Sequence, residues 1–210
     1  MAVRWDVITI GNLSRNRYWG EGDEAARRAP LCTTALVRGG DFALIVDPST
    51  ADPKGMAAEL DRRAGIAPKA IDAVFITHEH GDHHAGLGAF ESARWLAAPQ
   101  VAQAIDLSRK YDKAIEAITA LPFAGIEMVH TPGHTSGHHS LLFVDSDGMR
   151  VVVAGDAVMT KDFWADGRGF FNSVSMQTAS ETMKRLAAMA DVIVPGHDNY
   201  FLTRPRHQGE

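Results

Sequence analysis

The residues best suited to chemistry are concentrated in one stretch, THEHGDHHAG at 77–86. It holds four of the chain's ten histidines together with two acidic residues, Glu79 and Asp82. Imidazole nitrogens and carboxylate oxygens are the ligands that zinc, iron and manganese share in proteins. The pattern His-x-His-x-Asp-His over 78–83 offers two ligand sets on one tight loop. Such crowding predicts a site for a pair of divalent cations.

Further candidate ligands stand where apolar runs end. The runs 70–77, 125–134, 140–156 and 191–197 read as buried strands, and each finishes at or beside a histidine or an aspartate. Loops at strand ends commonly carry functional residues on a rigid scaffold. The candidate metal ligands are therefore His78, His80, Asp82, His83, His134, Asp156 and His197.

The elements that must position these residues alternate between strands and helices. Strands are predicted at 3–10, 33–39 and 41–47, the last two joined by a Gly39-Gly40-Asp41 turn. Helices are predicted at 52–65, near 100–111 and at 178–190, and 94–98 is another apolar run. This order predicts an α/β domain over 1–210, with two mixed β-sheets face to face and helices outside.

Two stretches have the character of functional loops. Residues 12–30 are polar and charged, and 161–175 mix glycines with aromatic residues. The aromatic residues of the second stretch are interpreted as a substrate wall, with a core patch or a dimer surface as alternatives. They are Phe163, Trp164, Phe170 and Phe171. Three arginines, Arg15, Arg17 and Arg168, are candidates for contact with an anionic substrate or for plain solvated charge.

Composition narrows the class of protein. A formal charge of −5 argues against a broad basic surface for nucleic acid, so a small-molecule substrate is favoured, although a local basic patch stays open. Cys32 is the single cysteine, which excludes an intrachain disulfide and suits a reducing compartment. The sequence has neither a signal-peptide pattern nor a membrane-span pattern, so we expect a cytoplasmic protein without a membrane partner. A homodimer is left open.

The motifs HEHGDH at 78–83, TPGHTSGHHS at 131–140, AGD at 154–156 and VPGHD at 194–198 occur in an order that resembles the metallo-β-lactamase superfamily. The resemblance implies an αββα sandwich with two metal ions at one edge between the sheets. It assigns His78, His80 and His134 to one ion, and Asp82, His83 and His197 to the other. Asp156 would bridge the two. Zinc is the first expectation for both ions, with iron or manganese as alternatives.

The resemblance also implies an activity. A bridging aspartate without a cysteine ligand is similar to the glyoxalase II, lactonase and nuclease side of the superfamily. The stretches 151–164 and 190–201 resemble the small group of metallo-β-lactamase domain-containing proteins. We therefore expect a dinuclear hydrolase whose metal-bridging hydroxide attacks a carbonyl ester, lactone or thioester. A phosphodiesterase or nuclease is the main alternative, and a metal-holding protein without turnover or an iron redox protein is less favoured.

Roles for the neighbouring residues follow from the same implied site. Asp82 is the expected acid–base residue, and Thr77, Thr135 and Ser140 are candidate hydrogen-bond partners of the ligand imidazoles. For His84 and His138, a supporting role and solvent exposure are both open. The remaining residues are expected to be structural or at the surface: Glu79, Cys32, His139, His130 and His207.

Overall fold

The computed structural model describes residues 2–203, and its first half forms a six-stranded mixed sheet in the order β1-β2-β3-β4-β5-β6. The strands β1 to β3 run antiparallel, which includes the predicted 33–47 hairpin, while β3 to β6 run parallel. The bounds are β1 Arg4–Thr9, β2 Thr34–Arg38, β3 Ala43–Val46, β4 Ala73–Ile76, β5 Arg94–Ala97 and β6 Glu116–Ala117.

The second half forms a five-stranded mixed sheet in the order β11-β10-β9-β8-β7. Only β9 and β10 pair in parallel, and the other neighbours are antiparallel. The bounds are β7 Ile126–His130, β8 His139–Val144, β9 Arg150–Gly155, β10 Val192–Pro195 and β11 Phe201–Leu202. The expected α/β architecture with two mixed sheets is confirmed. The two-residue strands β6 and β11 were not predicted, because two residues carry no measurable periodicity.

The strands alternate their side chains between two buried faces. One face of each sheet contributes to a shared core, in which Leu44 and Phe75 pack with Leu141, Phe143 and Val153. The opposite faces pack under helices in two further clusters, one with Met56 and Leu60 and the other with Met183 and Leu186. A strand buried on both faces reads as an unbroken apolar run, which explains the pattern of the sequence.

The helices cover the outer faces of the sandwich. Asp52 caps the first helix, Pro53–Ala64, by accepting hydrogen bonds from the Lys54 and Gly55 backbone N–H groups. Gly65, with a φ of 65°, ends this helix. The second ends at Leu107 rather than near 111. No helix within residues 2–203 combines the length and apolar content needed to cross a bilayer. The bounds are α1 Pro53–Ala64, α2 Pro99–Leu107, α3 Lys161–Asp166 and α4 Met176–Met189.

The interpretation of 161–175 as a loop without a packed element was wrong for its first part. Helix α3 occupies Lys161–Asp166, between the N-cap Thr160 and Gly167, whose φ is 64°. Six residues make fewer than two helical turns, which is too short for an apolar period to show in the sequence. The 12–30 stretch has one short 3₁₀ turn at Arg17–Trp19 and is otherwise irregular.

Candidate metal centre

All seven predicted ligand side chains meet at one edge of the sandwich, where the loops after β4, β7, β9 and β10 come together. Asp156 lies at the centre of the group. Its Oδ2 is 3.2 Å from His134 Nε2 and 3.6 Å from His78 Nε2. Its Oδ1 is 3.1 Å from His83 Nε2 and 3.3 Å from His197 Nε2. The two oxygens of one carboxylate therefore face different imidazoles.

The donor atoms fall into two groups, and within each group all of them lie within 4.8 Å of one another. One group consists of His78, His80, His134 and Asp156, and the other of Asp82, His83 and His197. This division matches the one that the motif resemblance implies, with Asp156 facing both sets. The two groups could each hold one cation.

Hydrogen bonds on the far side of the imidazoles determine which nitrogen is free. Thr77 Oγ1 donates to Asp47 Oδ2 at 2.7 Å, so it accepts from His78 Nδ1 at 3.1 Å. His83 Nδ1 donates to the same Asp47 oxygen at 2.8 Å. His197 Nδ1 donates to the Leu31 carbonyl at 2.9 Å. When one of these three rings is neutral, its Nε2 lone pair is therefore directed at the site.

Burial and charge act in opposite directions on the protonation of the cluster. Burial lowers the pKa of His78 well below its usual value and that of His134 to about 4. Burial also opposes protonation of His83, but the charges of Asp156 and Asp47 outweigh it and raise the pKa of His83. Burial alone would raise the pKa of Asp156, and the neighbouring imidazoles hold it well below its usual value. Asp156 is therefore an anion among closely packed rings.

The residues fit a divalent cation. His83 Nε2 and Asp156 Oδ1 lie 3.1 Å apart and are fully buried, yet neither makes a hydrogen bond of good geometry. A buried polar atom without a partner is costly. With His83 deprotonated, both atoms are acceptors, and a cation between them would satisfy both. Imidazoles and carboxylates are also the ligands that divalent transition metals prefer.

Only one of the three hydroxyls predicted to support the imidazoles contacts a ligand ring. Thr77 does so through His78. Thr135 instead donates to Glu79 Oε2 at 3.1 Å, which places Glu79 against the scaffold. Ser140 hydrogen-bonds to Thr131 and to the Ala154 carbonyl. Thr131 in turn hydrogen-bonds to His138, which is not one of the predicted ligands.

The two histidines that the sequence left open are buried. His138 stacks on His78 with ring centroids 5.0 Å apart, and its Nδ1 is 2.8 Å from Thr131 Oγ1. His84 Nδ1 is 2.7 Å from the Tyr111 hydroxyl. Solvent exposure is therefore wrong for both, because their rings pack inside the fold. His139 and His130 contact backbone carbonyls away from the cluster, and His207 lies outside the described residues.

Sequence reasoning missed Asp47. Its carboxylate accepts hydrogen bonds from the Thr77 backbone N–H at 2.8 Å, from Thr77 Oγ1 and from His83 Nδ1. It connects the start of the ligand loop to a ring of the second donor group. The signal was available, since Asp47 directly follows the apolar run that became β3, as other site residues follow theirs.

The sequence matches known proteins over the region that contains the HEHGDH motif at 78–83. Residues 27–99 match the family model described as the metallo-beta-lactamase superfamily. Metallo-beta-lactamase domain-containing protein 1 of Xenopus laevis is 33% identical over 177 residues, which cover 77% of this chain and 69% of the relative. The chain belongs to the metallo-β-lactamase superfamily.

Other superfamily members extend the comparison. A hydroxyacylglutathione hydrolase of Aeromonas hydrophila is 30% identical to this chain, with 89% of this chain and 62% of the relative covered. The solved structure of a dizinc quorum-quenching lactonase matches with a TM-score of 0.68 and 14% identity, covering 85% of this chain and 77% of that one. At that identity the structural match concerns the fold. The family match and the hydroxyacylglutathione hydrolase together make the chain a metal-dependent hydrolase of the metallo-β-lactamase superfamily.

In this superfamily member, four of the seven candidate ligands line a cavity of about 230 Å³. The stretches 12–30 and 161–175 both contribute to its wall, with Leu13, Ser14, Arg15 and Pro30 from the first and Phe170, Phe171 and Asn172 from the second. The remaining lining residues are His80, Asp82, Asp156, Met159 and His197.

The four aromatic residues of 161–175 divide between the substrate-wall and the core interpretations. Phe170 and Phe171 line the cavity, with Phe170 largely buried and Phe171 partly exposed. Phe163 is buried in a cluster with Leu13 and Phe170, so for Phe163 the core interpretation applies. Trp164 packs beside Phe201, with ring centroids 5.7 Å apart, and does not line the cavity.

Proposed function

We propose that the chain binds two divalent metal ions, zinc in the first place and iron or manganese as alternatives, and hydrolyses a small carbonyl ester, lactone or thioester. The observation that carries the proposal is the position of Asp156, whose two oxygens face two separate donor groups. In the proposed assignment, His78, His80 and His134 would hold one ion. Asp82, His83 and His197 would hold the other, and Asp156 would serve both.

Two bound divalent ions would supply a water of lowered pKa and would polarise the carbonyl oxygen of a substrate. The protein side chains supply the rest. Asp47 and Thr77 fix the orientation of His83 and His78, so that their lone pairs stay directed at the cations. The apolar cavity wall, including Met159 and Phe170, limits the access of bulk water to the reacting groups.

Asp82 is the proposed acid–base residue. It lines the cavity, and its Oδ2 is 3.5 Å from His197 Nε2, at the more open side of the cluster. In the proposed reaction, an Asp82 carboxylate oxygen accepts a proton from the attacking water and returns it to the leaving group. The names of the relatives, a hydroxyacylglutathione hydrolase and a lactonase, support an acyl substrate.

The test combines metal analysis with turnover. Protein loaded with zinc, iron or manganese should contain two ions per chain and should hydrolyse a lactone or a thioester. Asp82→Asn keeps an oxygen ligand but loses the basic carboxylate, so kcat should fall by about 100-fold or more with the metal content unchanged. Asp41→Asn, an exposed residue outside the cavity, is the control.

Three results would contradict parts of the proposal. One ion or none per chain after loading would exclude the dinuclear site. Unchanged hydrolysis by Asp82→Asn with two ions bound would remove Asp82 from the acid–base role. Preference for an activated phosphodiester in a parallel assay would replace the acyl substrate with the phosphodiesterase alternative.

A further inference from the structure

Among the described residues, one arginine side chain lines the cavity at the proposed metal centre. Of the three arginines that the sequence singled out, Arg15 belongs to the cavity wall, whereas Arg17 and Arg168 are exposed and do not line it. Two carboxylates, Asp82 and Asp156, also line the cavity. In the proposed function those carboxylates are neutralised by bound cations, so Arg15 is left as a positive charge that faces the substrate.

The fold leaves much of the Arg15 guanidinium unused. Its Nη1 donates to a neutral backbone carbonyl, that of Asp23. Its Nε is buried and has no hydrogen-bond partner. Arg28, in the same stretch, differs because it forms an ion pair with Glu21. A guanidinium has five N–H donors and stays charged at neutral pH, so Arg15 has donors to spare.

Its orientation is nevertheless constrained. The Arg15 guanidinium carbon lies 4.4 Å from the centre of the Phe171 ring, and Phe171 also lines the cavity. Stacking on an aromatic ring restricts the planar group and lowers the entropy lost when a ligand binds. A charged, planar group that is held in place and has unpartnered donors suits a planar carboxylate, which a guanidinium can bind through two hydrogen bonds.

We infer that Arg15 binds a carboxylate group of the substrate. The inference rests on the proposed function and specifies its substrate as a small ester, lactone or thioester with one carboxylate away from the scissile carbonyl. Leu13, Met159 and Phe170 would contact the carbon chain between the two groups. A volume of about 230 Å³ is below the roughly 300 Å³ at which drug-sized ligand pockets begin, so the substrate is small.

A carboxylate explains Arg15 better than a phosphodiester does. A phosphodiester carries its charge at the reacting phosphorus group, where the proposed cations would neutralise it. A second charge, distant from the reacting carbonyl, is what would need Arg15. The rest of the cavity wall is mostly apolar or proposed metal ligand, which fits a substrate with a single remote anion.

The experiment compares two methyl esters with the metal-loaded protein, with released methanol followed by proton NMR. Monomethyl glutarate carries a remote carboxylate, and methyl 5-methylhexanoate replaces its two carboxylate oxygens with methyl groups. The readout is the ratio of kcat/KM for the charged ester to that for the neutral ester. This ratio is measured in the wild type and in Arg15→Met, Arg15→Lys and Arg17→Met.

The wild type should prefer the charged ester by about tenfold or more, the effect of a charge-assisted hydrogen bond. Arg15→Met should abolish the preference, Arg15→Lys should retain part of it, and the control Arg17→Met should match the wild type. Equal use of both esters by the wild type, or an unchanged ratio in Arg15→Met, would overturn the role of Arg15 and leave the proposed hydrolase function in place.

A binding measurement separates the two proposals. Glutarate binding to the metal-loaded protein is followed by calorimetry, which does not depend on turnover. If neither ester is hydrolysed, the proposed function fails for this substrate class. Glutarate binding that weakens about tenfold in Arg15→Met but not in Arg17→Met then still supports the carboxylate site, whereas equal binding by all variants overturns it.

Discussion

At the scale of single residues, the positioning of the ligand rings depends on a side chain that is not itself in the donor set. Asp47 is buried, and its carboxylate accepts three hydrogen bonds. Its backbone φ is 51°, a conformation that few residues other than glycine, asparagine and aspartate adopt. Asp47 therefore combines a residue type that tolerates a positive φ with a carboxylate that can accept these hydrogen bonds. The backbone conformation brings its carboxylate under the loop that carries His83.

Asp47→Asn tests this role. Asparagine keeps the size and tolerates the positive φ, but its amide nitrogen cannot accept a hydrogen bond, so a buried donor of Thr77 or His83 loses its partner. We expect metal affinity to fall by about 10- to 100-fold, measured by competition with a chelator. The exposed Asp41→Asn is the control, and equal affinity in the two variants would contradict the role of Asp47.

At the scale of elements, glycines allow the ligand loops to pack closely against their neighbours. Gly133, directly before His134, has a φ of 133°, and a Cβ there would lie 2.4 Å from the backbone of Ala179 in α4. The Ser175 N–H, at the start of α4, donates to the Gly133 carbonyl at 3.0 Å. The start of α4 therefore supports the loop that presents His134.

Gly133→Ala should destabilise the protein by more than Gly148→Ala. Both glycines have positive φ, but a Cβ at Gly148 has nothing within 4 Å, so its replacement adds backbone strain alone. We expect the free energy of unfolding to fall by about 1 kcal/mol in Gly148→Ala and by roughly 3 kcal/mol or more in Gly133→Ala, as measured by denaturant unfolding. Equal losses would mean that α4 moves aside without cost.

The stretch 12–30 is attached to α3 through an aromatic contact and a hydrogen bond. Tyr18 donates its hydroxyl proton to Asp166 Oδ2 at 2.6 Å, and its ring packs edge-on against Phe163, with centroids 4.9 Å apart. Partial burial and the hydrogen bond to Asp166 raise the pKa of Tyr18 to about 12. This contact links the two stretches that form the cavity wall.

The raised pKa gives a prediction for alkaline pH. Because the unfolded-state pKa is about 10, the stabilising effect of this contact should be complete below pH 10 and lost as pH rises towards 12. Subtracting the tyrosinate absorbance titration of Tyr18→Phe from that of the wild type should give a midpoint near 12. Asp166→Asn should move that midpoint towards 10, and a wild-type midpoint already at 10 would exclude the contact.

At the scale of the whole molecule, the proposed metal centre lies between the two sheets and joins them. Its residues follow β4 of the first sheet and β7, β9 and β10 of the second. Without cations, the fold would hold polar atoms without hydrogen-bond partners, such as His83 Nε2 and Asp156 Oδ1, away from water. We therefore expect bound metal to stabilise the entire sandwich and not only the ligand loops.

Metal removal should lower the melting temperature. Each cation present at about 100 times its dissociation constant would contribute roughly 2.7 kcal/mol, which corresponds to about 5–10 °C per bound ion for a chain of this size. Calorimetry before and after chelation measures the difference, and Asp156→Asn should reduce it. A melting temperature that stays the same after complete metal removal would contradict a stabilising metal centre.

The sequence by itself determined the donor types, the strands that end beside them and the α/β class of the fold. These features are local, because apolar periodicity and turn residues appear within a few positions of each other. The sequence could not give the short helix α3 or the partners of His84 and His138, since six residues show no period and those partners come from other elements.

Only the tertiary structure decided which residues meet. Asp47 contacts His83 across 36 positions, and the Asn12 carbonyl lies 3.1 Å from His197 Nδ1 across 185 positions. Likewise, Arg15 lines the cavity whereas Arg17 and Arg168 do not, although the sequence offers all three as equals. The physical reason is that side-chain chemistry is a property of each residue, whereas proximity across the sandwich is fixed by the packing of the two sheets.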